Sequence, residues 1–144
     1  MSFDFKISAG DWSIGPDGDI AKVQDTDKLI QDILKMVTFP IGGNPFFPWY
    51  GSPVSKSMVG QSFDMEFLST IGSSQINTSL STLQKLQSEQ ARSQRVTPYE
   101  QIAAIQQVMI ERNRVDPRNF SVLIKVATRA LLSVTAELVI KPVM

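Results

Sequence analysis

Cysteine and histidine are both absent from the 144 residues of this sequence. Without cysteine there is no disulfide, thiolate metal site, iron–sulfur cluster or thiol nucleophile, which fits assembly in a reducing compartment. Without histidine the commonest general base, proton shuttle and zinc ligand is missing, so any catalysis would rest on carboxylates, lysines, serines or tyrosines. A charge excess is missing too. Fourteen Lys and Arg balance fourteen Asp and Glu, so no global field favours nucleic acid or an anionic membrane. No stretch approaches the roughly 20 apolar residues that span a bilayer, and Met1-Ser2-Phe3-Asp4-Phe5 lacks the basic and apolar regions of a signal peptide. The expectation is a soluble, unexported chain without cofactor or metal, binding neither nucleic acid nor membrane.

The length is that of one ordinary domain. The patterning predicts an α+β fold over residues 1–144: N-terminal strands and a hairpin at 1–24, a helical part at 25–107, and a three-stranded antiparallel meander at 108–142. Charge is uneven along it, with seven aspartates against three lysines in residues 1–32 and eight basic against five acidic residues in 89–144. Such polarity suits solvated surface, or a subunit set between unlike neighbours.

Phe3, Phe5 and Ile7 alternate with Asp4 and Lys6, the period of a half-buried strand. Trp12 and Ile14, then Ile20 and Val23, flank Gly15-Pro16-Asp17-Gly18, a tight-turn sequence, giving a hairpin at about 11–24. Asp11, Asp17 and Asp19 do not have calcium-loop spacing and are read as turn residues. Asp25 or Thr26 can cap the next helix, whose apolar face is Leu29, Ile30, Ile33, Leu34 and Val37. That helix ends before Pro40, because the residue preceding a proline is pushed out of the α region.

Residues 38–60 hold four prolines and four glycines, which forbid long regular structure. Phe39, Phe46, Phe47, Trp49 and Tyr50 are nevertheless too apolar for a solvated linker. These rings complete the domain's core, contact a partner, or divide between the two roles. Phe46, Phe47, Trp49 and Tyr50 are the candidate partner-binding residues. From Phe63 to about Arg95, Phe67, Leu68, Ile71, Ile76, Leu80, Leu83 and Leu86 repeat at helical spacing against an uncharged Ser, Thr, Asn and Gln face, with Gly72-Ser73-Ser74 as a possible break. Thr97-Pro98-Tyr99-Glu100 is a capping box with proline at the first helical position. It predicts a short helix carrying Ile102, Ile105 and Val108 or Met109. A strand from Val108, a turn at Asp116-Pro117-Arg118-Asn119 and two alternating runs then make the meander.

Among the carboxylates, Asp64, Glu66, Glu89, Glu100 and Glu111 are the candidates for an acid/base pair, but no two stand in a recognisable motif. Each has a plainer role at a helix start, in a cap or on a solvated strand. Gly42-Gly43 lacks the strand, helix and lysine of a phosphate loop. Basic residues at 112, 114, 118, 125 and 129 read as solubilising side chains of exposed strands. What remains is the last strand, whose Leu132, Val134, Ala136, Leu138 and Ile140 form one apolar face with few gatekeeper charges, Glu137 and Lys141. A foreign strand can dock on such an edge through main-chain hydrogen bonds. Removing residues 134–144 is expected to leave the fold soluble while abolishing that docking.

Gln31-Asp32-Ile33-Leu34 in the first helix, Thr38-Phe39-Pro40 leading to Pro48-Trp49-Tyr50-Gly51-Ser52, the polar helix, the Thr-Pro-x-Glu-x-Ile segment and the closing meander together give the chain a resemblance to a known family. Over residues 11–140 it resembles the sheath-initiator wedge proteins of contractile-tail phage baseplates, also found in type VI secretion baseplates. The resemblance implies a structural, non-enzymatic virion protein of the tail baseplate, assembled in the host cytoplasm in multiple copies, six to a baseplate. It would touch wedge subunits, with tail-tube or hub proteins as further neighbours, and start the sheath by β-strand augmentation through its C-terminal strands. The family's Glu-Pro-Arg triplet is replaced here by Glu89-Gln90-Ala91-Arg92, so the wedge-contact site does not carry over. The alternatives are a lysozyme-like cell-wall hydrolase, which the carboxylate survey does not support, and a cytosolic adaptor of the same fold.

Overall fold

The computed structural model describes residues 3–8, 11–54, 65–116 and 119–140. The end of the proline loop at 55–60, the helix start with Asp64, turn residues Pro117 and Arg118, and Lys141 lie outside them, as do the side chains of Glu66, Phe67 and Leu68.

The first strands are short. Asp4–Phe5 (β1) pairs antiparallel with Lys22–Val23 (β4), and Ile7–Ser8 (β2) with Asp11–Trp12 (β3). The expected turn at Gly15–Gly18 is closed by the Ile14–Ile20 bridge, and Asp17 Oδ1 accepts the Asp19 N–H at 3.3 Å. Ala21 knits the segment together, donating to the Ser13 carbonyl and accepting from Lys6 N–H, each at 2.8 Å. Phe3, Phe5 and Ile7 are exposed rather than half-buried. A two-residue ladder gives them no facing layer, and the rings stack on one another instead, Phe3–Phe5 at 6.2 Å and Phe5–Trp12 at 5.9 Å.

Asp25–Thr38 forms α1, with Asp25 and Asp27 in its first turn and Lys35 in its last, the charges its dipole favours. Leu29, Ile33, Met36 and Val37 are buried, with Ile30 and Leu34 partly so. The helix stops where expected, with Phe39 extended before Pro40. Its cap differs. Gln24 holds the N-cap position without a side-chain bond, and Asp25 stands at φ +52°. The Asp25 carboxylate is engaged elsewhere, as acceptor of the Thr97 hydroxyl at 2.6 Å.

Met65–Ser93 forms α2 and runs unbroken through Gly72-Ser73-Ser74. Gly72, Ile76, Ser79, Leu80, Leu83 and Gln87 are its buried stripe. On the polar face Thr78, Ser81, Thr82 and Ser88 donate to the carbonyls four residues earlier, so many of its hydroxyls are satisfied within the helix.

The capping box at Thr97 and Glu100 is present, but it caps only one 3-10 turn, Pro98–Glu100. The short helix expected after it is a strand. Ile102–Arg112 (β5), Phe120–Thr128 (β6) and Ser133–Ile140 (β7) form an antiparallel sheet in the order β5-β6-β7, so the meander opens six residues earlier than the spacing predicted. One face of this sheet meets α2 along β5 and α1 along β7. Between the layers sit Leu29, Ile33, Val37, Ile76, Leu80, Ile102, Ile110, Val122, Ile124, Val126, Val134 and Ala136. Each buried Leu, Ile or Val contributes about 1.5–3 kcal/mol relative to exposure. The fold is α+β. No helix among the described residues is long and apolar enough to cross a membrane.

Candidate protein interaction sites

The phase of the β7 hydrogen bonds follows from its hairpin. Thr128 N–H donates to the Leu132 carbonyl at 2.8 Å, and Leu131 at φ +64° completes the three-residue turn. Thr128 and Leu132 are thus a hydrogen-bonded pair, and such pairs recur at every second position of an antiparallel ladder. In the observed register the next ones are Val126–Val134, Ile124–Ala136, Val122–Leu138 and Phe120–Ile140. The opposite ladder agrees. Asn113 N–H donates to the Asn119 carbonyl at 3.0 Å, so the odd residues Ser121, Leu123 and Lys125 of β6 bond to β5.

Consequently Val134, Ala136, Leu138 and Ile140 spend their main-chain groups on β6. Their side chains face the core, Val134, Ala136 and Ile140 buried and Leu138 partly so. Leu132 lies in the turn, half exposed. The groups on the outer edge of β7 belong instead to Ser133, Thr135, Glu137 and Val139, whose side chains lie on the sheet's outer face. Among the described residues no strand pairs with that edge. The edge expected from the sequence is therefore present, but the residues that present it are those between the five named. Removing residues 134–144 would also strip three side chains from the core, so the fold would not survive it intact.

The aromatic loop is a closed structure. Ser52 N–H donates to the Phe39 carbonyl at 2.9 Å, Gly42 N–H to that of Pro48 at 3.0 Å, and Tyr50 N–H to that of Phe47 at 3.0 Å. Ser79 of α2 fastens it by donating to the Gly51 carbonyl at 3.0 Å. Gly51 has φ +109°, and a Cβ there would collide with the Phe39 carbonyl oxygen. The rings divide their roles. Tyr50 packs against the core, while Phe46 is 85% exposed and Phe47 and Trp49 about half exposed. Phe47, Trp49, Tyr50 and Phe39 form a chain of edge-on contacts with centroids 5.5–6.5 Å apart.

Between this loop, β1, α1 and α2 lies a cleft of about 300 Å³ walled by Phe3 and Tyr50 and floored by Asp4, Lys28, Asp32 and Gln87. Lys28 is buried and donates to Asp32 at 2.9 Å. Burial pushes the Asp32 carboxyl above its ordinary value against the pull of Lys28. Burial also works upward on Asp4, but the Lys35 ammonium paired with it, helped by Gln31, outweighs that and holds Asp4 low. Tyr50 is raised by burial and then by the two carboxylates. These charges are spent on one another and fasten the N-terminal strands to α1.

Among the described residues the carboxylate candidates Glu89, Glu100 and Glu111 are not brought together. Glu100 is fully buried, with Oε1 accepting the Thr97 N–H at 3.1 Å and Oε2 unpaired, whereas Glu89 and Glu111 are exposed on α2 and β5. Among the described residues no three acidic side chains cluster as a metal site. Of the basic residues, Arg112 stacks over Phe120 at 5.7 Å, and Lys125 lies on the outer face of β6. No family model, curated protein or solved structure matches this chain.

Proposed function

We propose that this chain is a structural adaptor of a contractile-tail baseplate, which links wedge subunits and seeds the sheath by accepting a strand of the sheath protein on β7. The observation that carries the reading is the outer edge of β7, with which no strand among the described residues pairs, on a sheet with one face anchored on two helices. An incoming strand would bond to the main chain of Ser133, Thr135, Glu137 and Val139 without disturbing the core. The exposed rings of Phe46, Phe47 and Trp49, on a loop fixed by Gly51, offer the wedge subunits a second surface of large area at small entropic cost. The resemblance of residues 11–140 to sheath-initiator wedge proteins supplies the identity of the partners. The reading requires no catalytic group.

The test uses the purified full chain with the wedge and sheath subunits of its own particle. Thr135→Pro removes an outward N–H while leaving the core untouched, and it should abolish sheath recruitment without loss of the fold. Normal recruitment by that variant would defeat the strand-docking mechanism.

A further inference from the structure

On the outer face beside the outer edge of β7, the sheet carries a groove of about 550 Å³ whose walls include Met109, Glu111, Ser121, Leu123, Glu137 and Val139. The register sets these as two rows, Met109–Leu123–Glu137 and Glu111–Ser121–Val139. Each row thus joins apolar surface to one carboxylate at opposite ends. Met109 and Val139 are 38% and 46% exposed, although strand side chains with no covering layer are ordinarily polar. Among the described residues the side-chain carboxylate of neither Glu111 nor Glu137 has a hydrogen-bond or ion-pair partner. Lys125 stands one row further along, between Gln107 and Thr135, and is not paired with Glu137. Among the described residues the two rows and Lys125 thus bring two carboxylates against one ammonium, beside an apolar floor. The carboxylates sit two strand spacings apart, about 10 Å sideways, too far to share one cation.

We infer that this groove selects the strand that docks on β7, favouring one with Lys or Arg on its outward-facing side beside apolar residues. The inference rests on the strand-docking reading and adds to it the chemistry of the partner. Glu137 contributes both an outward main-chain pair and an outer-face side chain. A residue directly opposite it on an added strand has its Cβ about 5 Å away on the same face, within reach of a Lys or Arg head group. The alkyl stem of that residue can lie along the floor formed by Leu123 and Met109 while its charge meets the carboxylate. A strand with Glu at that place meets like charge, and among the described residues no cation is ion-paired with Glu137 to relieve it. The pair lies at a solvated rim, so the discrimination is modest, about fivefold between Lys and Gln and roughly tenfold between Lys and Glu.

The full chain is extended past its C-terminus by a Gly/Ser linker and a donor strand of roughly eight residues, with Val on the inward side and Lys, Gln or Glu throughout the outward side. The tether raises the local donor concentration to the millimolar range, so weak docking becomes measurable. Hydrogen exchange at Ser133, Thr135, Glu137 and Val139 reports occupancy. Protection should follow the order Lys, Gln, Glu, with the spread narrowing in 1 M salt and vanishing in the Glu111→Gln/Glu137→Gln double variant. Equal protection by the Lys and Glu donors would overturn charge selection while leaving strand docking intact. Protection by none of the three would remove strand docking, and this inference with it.

Discussion

The Thr97 hydroxyl donates to Asp25 Oδ1 at 2.6 Å, joining residues 72 apart in sequence. This bond ties the start of α1 to the corner from which β5 departs, and so fixes the helix layer against the sheet. It accounts for Asp25 at φ +52°, a region that Asp tolerates better than most residues, and for a helix whose first acidic residue does not cap it. Thr97→Val keeps the shape and removes the donor, and should cost about 1–3 kcal/mol in denaturant unfolding because the acceptor is charged. Asp25→Asn keeps an acceptor oxygen and the backbone tolerance, and should cost less. Equal losses for the two would show that the hydroxyl bond is not what holds the corner.

Gly51→Ala should open the aromatic loop. The new Cβ meets the Phe39 carbonyl oxygen, and φ +109° is unfavourable for any side chain, so about 1–3 kcal/mol of strain is expected. Because Ser79 holds the Gly51 carbonyl, the strain should pass into the loop rather than into α2. Trp49 fluorescence would shift before global unfolding. A variant with wild-type fluorescence and stability would show that the loop accommodates the methyl group.

Acid should act on α1 through two opposed carboxyls. Asp4 titrates low in the folded chain, so its contribution is complete above the unfolded pKa near 3.8 and is lost as pH falls through the lower folded value. Asp32 titrates high, so its ionised form weakens the fold at neutral pH. That penalty is relieved as pH falls through the raised folded value toward 3.8. Asp4→Asn should therefore flatten the fall in melting temperature below pH 4, and Asp32→Asn should steepen the response between neutrality and pH 4. The reverse pattern would mean that burial outweighs the Lys35 pairing at Asp4 and that the Lys28 pairing outweighs burial at Asp32.

The amphipathic face of α1, the stop before Pro40, the tight turn at Gly15–Gly18 and the alternation of β6 and β7 were legible in the sequence, because each follows from a local period or from a proline or glycine. The start of β5 was not. Its register shifts between Ile102 and Ala104 and again between Ile105 and Gln107, and each extra residue stretches the period of two into three. Ile102, Ile105 and Val108 therefore stand at helical spacing within a strand, just after a genuine capping box. The edge of β7 was legible only in part. Alternation separates core-facing from outward side chains, but which set carries the outward main-chain groups depends on the Thr128–Leu132 pair being the hydrogen-bonded one, and bonding at the neighbouring Ala127–Ser133 pair instead would reverse the answer. The Thr97–Asp25 bond and the Gly51 contact join distant segments through tertiary packing, and no local pattern encodes either.

Two prolines placed one residue apart test that edge directly. Thr135 has its N–H turned away from β6, whereas Ala136 donates into the ladder with Ile124. Proline at an outward position of an edge strand removes no ladder bond, so Thr135→Pro should keep a cooperative transition and lose only about 1 kcal/mol from backbone adjustment. Ala136→Pro removes a ladder bond, drives its ring toward β6 and displaces a side chain that is 1% exposed; it should cost about 3 kcal/mol or more. Hydrogen exchange on the unsubstituted chain should show the same alternation. Amides of Val134, Ala136 and Leu138 exchange slowly, and those of Thr135, Glu137 and Val139 quickly, because only the second group faces solvent. If Thr135→Pro proves the more damaging of the two, the phase is inverted. The residues between the five named in the sequence would then not be the ones that meet a partner.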